Sequence, residues 1–117
     1  SLNNFLANAF FNQAAFGWTA RVLGYFVREL NVLRLDEAIR KMTSFPAQRI
    51  GLRDRGLVHE GFWADLVVFD PVAINDVTTP DDPTGYPCGI LYVFVNGVLV
   101  VDNGKLTGCT PGKVLKV

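Results

Sequence analysis

Between residues 18 and 31, apolar side chains return every three or four positions. Val22, Leu23, Phe26, Val27 and Leu30 form one stripe, with Arg21, Arg28 and Glu29 off it. That period predicts an amphipathic helix. A second helix is predicted from about Leu35 to Met42. Asp36 and Glu37 occupy its first turn and Arg40 and Lys41 its last, which places each charge at the end of the helix dipole that favours it. Ala38, Ile39 and Met42 are its expected inward face. Thr43-Ser44-Phe45-Pro46 stops this helix and opens a short third one with Pro46 near its first position, and Gly51 ends that one. Residues 1–16 are rich in Ala, Phe and Leu, a composition that favours helix.

After Gly51 the period changes. Leu66-Val67-Val68-Phe69 is a continuous apolar run, expected to be a strand buried on both faces and ended by Pro71. Residues 75–89 carry three prolines and three aspartates and are expected to form a long loop. Ile90 to Val95 is the next strand. Asn96-Gly97 then makes a hairpin turn, since both central residues must tolerate positive φ. Residues 98–101 return antiparallel, and Asp102-Asn103-Gly104 turns again. Lys105, Leu106 and Thr107 add a short strand, and Thr110-Pro111-Gly112 turns once more before residues 114–117.

The fold class expected is therefore α+β, with helices followed by a small, mostly antiparallel β-unit of four or five strands. The division falls near residue 51, giving a helical segment 1–51 and a β-portion 52–117. Neither part looks self-sufficient. The helical part has no sheet of its own to cover, and an open sheet leaves two edges unpaired. With 117 residues the chain suffices for one domain with a modest core. Eleven basic residues balance eleven acidic ones, so no net charge steers it toward nucleic acid or an anionic membrane, and no net repulsion opposes self-association. No apolar run approaches the roughly 18–20 residues that span a bilayer. The N-terminal stretch lacks the basic region of a signal peptide, so a cytoplasmic location is expected. Ser1 in place of Met fits a trimmed or internal piece of a longer chain.

Several runs, taken in order, resemble one family. LDEAIRKMTSFPAQRIGLRDRG, at residues 35–56, resembles an acidic-start helix followed by K-M-T-x-x-P-A and G-L-x-D-R-G. GFWADLVVFDP matches a G-x-x-A-D-L-V-V-F-D segment found widely in amidohydrolases. GILYVFVNGVLVVDNGKLTGCTPGKVLKV matches a closing G-I-x-x-V-x-V-N-G-x-x-V…G-x-x-T-G…P-G-x-x-L run, and TARVLGYFVREL resembles the helix before this region. Together they cover about residues 17–117 and are most similar to the C-terminal region of D-aminoacylases, the N-acyl-D-amino-acid deacylases of the metal-dependent amidohydrolase superfamily.

The resemblance implies a parent enzyme with a metal-bearing (β/α)8 barrel and a small composite β-sandwich domain built from both chain ends. This chain would hold the last barrel helices and the C-terminal share of the β-domain. The reaction implied is hydrolysis of the N-acyl C–N bond of an N-acyl-D-amino acid. A zinc-activated water would attack the acyl carbon, with an aspartate at a barrel strand end as proton shuttle. The family's ligands are several histidines, a cysteine and acidic or modified residues upstream of this region, whereas this chain has one histidine. The catalytic aspartate should precede the first matching helix, yet residues 1–16 contain no Asp, Glu or His. No catalytic, cofactor-binding or metal residue carries over onto this chain, and zinc is expected only in the parent enzyme.

The residues that could carry chemistry have simpler readings. His59, next to Glu60 and Gly61, has only carboxylates as potential co-ligands and is expected in a surface turn. Asp65 precedes the LVVF run and is expected to bind backbone N–H groups or an arginine, with Arg53, Asp54 and Arg55 just upstream. Cys88 and Cys109 lack an activating context and are expected as free thiols, with a single bridge as the alternative. The glycines from Gly104 to Gly112 lack phosphate-loop spacing and are turn residues. Phe5, Phe10, Phe11, Phe16 and Trp18 are dense enough to suggest a self-association surface, or else an internal contact.

Three functions follow. The first is a structural end-piece of a D-aminoacylase-like hydrolase, forming a homo-oligomer or pairing with a missing barrel portion. The second is a stand-alone α+β assembly or binding module that completes another chain. The third, a metal-dependent hydrolase with an intersubunit site, is opposed by the ligand inventory: each chain offers His59, two cysteines and carboxylates.

Overall fold

The computed structural model describes residues 14–79 and 85–116, the side chains of 14–16 excepted. The expectations for Phe5, Phe10, Phe11 and the Phe16 side chain lie outside the described residues.

The first helix runs as α1 (Ala14–Arg21) and continues without a break into a π-helical segment (Val22–Glu29). It begins earlier than the periodicity predicts. Its buried face also differs from the expected stripe. Ala20, Leu23 and Gly24 are buried, whereas Phe26 and Leu30 are 39% and 47% exposed. The cause is the helix type. A π-helix closes i→i+5 bonds, so its wider turn advances each side chain by less than the about 100° of an α-helix and moves Phe26 and Leu30 off the inner face. Arg28, expected off the stripe, is instead half-buried. Asn31, at φ 51°, ends the element in the left-handed region.

The second helix, α2 (Leu35–Met42), has the predicted bounds. Ala38 is fully buried and Ile39 and Met42 half-buried, as a 3.6-residue period requires. The acidic start and basic end form ion pairs along one turn: Arg40 donates to both Glu37 carboxylate oxygens, at 3.0 and 2.7 Å. Thr43 interrupts the helix and α3 (Ser44–Arg49) follows, with Pro46 in its first turn. Gly51, at φ 84°, lets the chain reverse so that Leu52 N–H bonds Ala47 C=O at 2.9 Å. The linker then returns over α3 at Gly56.

Four strands form one antiparallel sheet in sequence order: β1 (Leu66–Phe69), β2 (Ile90–Val95), β3 (Val98–Asp102) and β4 (Lys105–Leu106). Asn96-Gly97 and Asn103-Gly104 turn with positive φ at all four residues. The long loop after β1 is closed at its base by an antiparallel bridge between Asn75 and Cys88. Two expectations fail. β1 is not buried on both faces: it is an edge strand, and Val67 is 54% exposed. Residues 111–116 form no fifth strand, because the chain after β4 leaves the sheet as an irregular tail with Val114 facing solvent.

The core is small. Ala20, Leu23, Ala38 and Ile74 are its buried members, with Val27, Ile39, Met42, Phe69 and Ile90 packed around them. Among the described residues no large side chain is completely buried. No helix among them is long and apolar enough to cross a membrane.

Candidate functional site

The densest polar constellation sits where the linker meets the β2–β3 turn. Asp65 immediately precedes β1, so its carboxylate lies beside the hairpin tip. There one oxygen pairs with Arg55 Nη1 and the other accepts the Asn96 backbone N–H at 2.8 Å. Of the three upstream partners weighed from sequence, Arg55 is the one that Asp65 engages. Asp54 instead accepts from Trp63 Nε1 at 3.1 Å, and its carbonyl takes the Trp63 backbone N–H at 3.0 Å. The Arg55 guanidinium also lies 5.1 Å from the Trp63 ring centroid, and Lys113 Nζ from the tail lies 5.8 Å from it.

Beside this cluster is a depression of about 280 Å³ lined by Gly61, Phe62, Trp63, Ala64, Asn96 and Gly97. Asn96 is its one polar side chain. The Asn96 amide nitrogen donates to Pro111 C=O at 2.9 Å, while its buried oxygen has no partner among the described residues. The arrangement fixes the linker, hairpin and tail to one another. Its hydrogen bonds tie Asp65 to Arg55 and Asn96 and Asp54 to Trp63, contacts that position the chain.

The remaining candidates are dispersed. His59 is exposed in a turn, closed by a Phe62 N–H to His59 C=O bond of 3.1 Å, and its Nδ1 lies 2.7 Å from Glu60 C=O. Cys88 and Cys109 are both free and exposed. Cys88 Sγ lies 3.3 Å from Ala73 C=O, inside the loop base, and the Cys109 backbone N–H donates to Thr107 Oγ1 at 3.4 Å. Gly104 and Gly108 occupy positive φ, consistent with turn roles. Trp18 on α1 is 50% exposed. Among the described residues no three His, Cys, Asp or Glu side chains converge enough to hold a metal ion, so those residues do not fit a zinc centre.

One perturbed carboxyl lies elsewhere. The Arg40 guanidinium hydrogen-bonded to Glu37 holds its carboxyl below the usual glutamate range; partial desolvation opposes this, and the charges of Arg40 and Lys41 reinforce it. The sequence pattern does not single out Arg28, which donates from Nη1 to Ile74 C=O at 2.6 Å and to Pro71 C=O at 3.2 Å. Arg28 is one of three charged residues on the first helix, with Arg21 and Glu29, and nothing in the pattern reveals a partner more than forty residues away.

Comparison with known proteins gives concordant results. The Amidohydrolase family model matches residues 6–101. A D-aminoacylase of Alcaligenes xylosoxydans xylosoxydans is 43% identical over 99 residues, which is 85% of this chain and 20% of that protein. An N-acyl-D-glutamate deacylase from the same organism is 44% identical over 100 residues, 86% of this chain and 20% of the relative. A D-aminoacylase mutant solved with CuCl2 superposes with a TM-score of 0.83 at 42% identity, over 86% of this chain and 21% of its own. The chain thus spans about one fifth of the length of the relatives it matches.

Proposed function

Because the chain belongs to the amidohydrolase family, we propose that it supplies the C-terminal structural share of an enzyme that hydrolyses the N-acyl bond of N-acyl-D-amino acids. Residues 1–51 act as the last helices of a (β/α)8 barrel, and residues 52–117 as part of a composite β-sandwich. Chemistry and zinc belong to the remainder of that enzyme, and its location is cytoplasmic. The observation that carries the reading is the superposition on D-aminoacylase, a TM-score of 0.83 at 42% identity, over a segment that is 21% of the solved chain. The exposed apolar strands support it too, since a sheet apolar on both faces is built to be covered on both. By itself the chain associates with copies of itself or with the barrel portion. A stand-alone assembly module that completes another chain is the second reading. It is favoured by the Asp65–Arg55–Asn96 cluster, which organises the β-unit through its own residues.

The test uses the purified 117-residue chain, measured for bound zinc and for deacylation of N-acetyl-D-amino acids. Neither stoichiometric zinc nor turnover is expected, and adding the separately produced barrel portion should give turnover. Zinc near one per chain with turnover by the chain alone would overturn the proposal, and His59, Cys88 and Cys109 would become the residues to mutate.

A further inference from the structure

Among the described residues, helices pack on helices and strands on strands, and no strand packs broadly against a helix. Apart from the covalent linker, which folds back on α3 at Gly56, and the packing of Phe69 and Ile90 against the core cluster, the two halves meet through residues 70–78, which have built attachments on both sides.

On the sheet side, Asp70 N–H extends the strand pairing to Gly89 C=O at 2.8 Å, and Asp70 C=O accepts from Ile74 N–H at 2.8 Å. Asn75 and Cys88 exchange backbone bonds of 3.2 and 3.1 Å. Gly89 is pressed so close that a Cβ would sit 2.4 Å from Ile74 N. On the helix side, Ile74 is 3% exposed and shares the core cluster with Ala20, Leu23 and Ala38. Gly17 and Gly24 leave the groove it enters: a Cβ on Gly24 would meet Ile74 O at 2.6 Å, and one on Gly17 would meet Asp76 Oδ1 at 2.0 Å. Arg28 closes the seat with its two bonds to Ile74 and Pro71 carbonyls.

We infer that residues 70–78 form a coupling plug, seated by Ile74 and held by Arg28, through which the helical half and the β-unit open and close as one cooperative unit. The physical basis is that both ends of the plug are specified. A loop that merely covered a helix would not need a glycine at each closest approach, nor a part-buried guanidinium that satisfies two carbonyls of the same turn. Arg28 is a positioning residue here. The inference stands on these contacts and not on the enzymatic reading above.

The test is native-state hydrogen exchange of the full 117-residue chain across increasing urea, resolved by peptide. In the unaltered chain, amides of the helix through Glu29 and amides of β2 and β3 should converge on one opening free energy and one urea dependence. Arg28→Ala should uncouple them: helix amides exchange about tenfold faster or more, while β2 and β3 amides change less than about twofold. Arg28→Lys, which keeps a cationic donor, should restore part of the coupling. The inference fails if the helix opens in the unaltered chain while the sheet stays protected. It also fails if Arg28→Ala speeds both sets equally, which is the signature of an arginine that adds stability without joining the halves. Should Arg28→Ala not fold, the unaltered chain and Arg28→Lys still decide.

Discussion

Gly89 and Gly97 separate two reasons for a glycine. Both hold positive φ, 81° and 79°. A side chain at Gly97 would meet nothing within 4 Å, whereas one at Gly89 would strike Ile74 backbone N and Cα at 2.4 and 2.5 Å. Alanine at position 97 therefore carries only the left-handed backbone penalty, about 1 kcal/mol. Alanine at position 89 adds displacement of the Ile74 segment, and a total loss of at least about 2–3 kcal/mol is expected. Urea denaturation of Gly89→Ala and Gly97→Ala measures the difference, and equal losses would mean that close approach is not what Gly89 serves. At this scale the sequence was partly legible. Asp65, with Arg53 and Arg55 ten to twelve residues upstream, announces an ion pair, and it forms one with Arg55. Nothing local announces that Arg28 meets carbonyls at positions 71 and 74, because the contact is created by the fold and not by neighbours in sequence.

Elements whose causes are local were readable. α2, α3 and both Asn-Gly turns follow from charge placement, proline, glycine and residues that tolerate positive φ. The π-helical segment was not, because the residues that lie against its Gly24, Ile74 and Asn75, are some fifty positions away in sequence. The burial of β1 is not legible for a related reason: LVVF says that the strand is apolar on both faces, while only β2 lies beside it and nothing described covers Val67. Within α2, the Glu37–Arg40 pair yields a pH prediction. The folded carboxyl titrates below its ordinary value of 4.5. A depressed carboxyl contributes stability that is present above the unfolded-state pKa and lost as pH falls through the folded one. Acid should therefore weaken the helix from about pH 5 downward, and Glu37→Gln should flatten that limb. Far-UV circular dichroism against pH checks this, and an unchanged acid limb in Glu37→Gln would assign the loss to other carboxylates. The pair is solvent-exposed, so the effect at neutral pH should be small.

For the whole molecule, the balance between a small core and a large apolar surface decides its state. The buried cluster holds two alanines, one leucine and one isoleucine, while Trp18, Leu30, Phe45, Ile50, Trp63 and Val67 remain at least 45% exposed. The zero net charge supplies no repulsion between copies. Among the described residues β1 pairs only with β2, which leaves its other backbone edge unpaired with Val67 and Val68 open beside it. Self-association at micromolar concentration is the expected outcome, as a dimer or larger species by size-exclusion chromatography with light scattering. The edge makes the prediction specific. Val67→Lys places a charge where an incoming strand would lie, and it should shift the distribution toward monomer while the urea midpoint moves little, because Val67 contributes little to the core. A clean monomer in the unaltered chain would show that the apolar surface tolerates water and that the edge is protected by other means. An oligomer indifferent to Val67→Lys would move the contact to the helical face around Trp18 and Leu30. Under the proposed function, mixing with the proposed barrel portion should dissolve the homo-oligomer as a mixed complex forms, and a homo-oligomer that persists in the mixture would count against that reading.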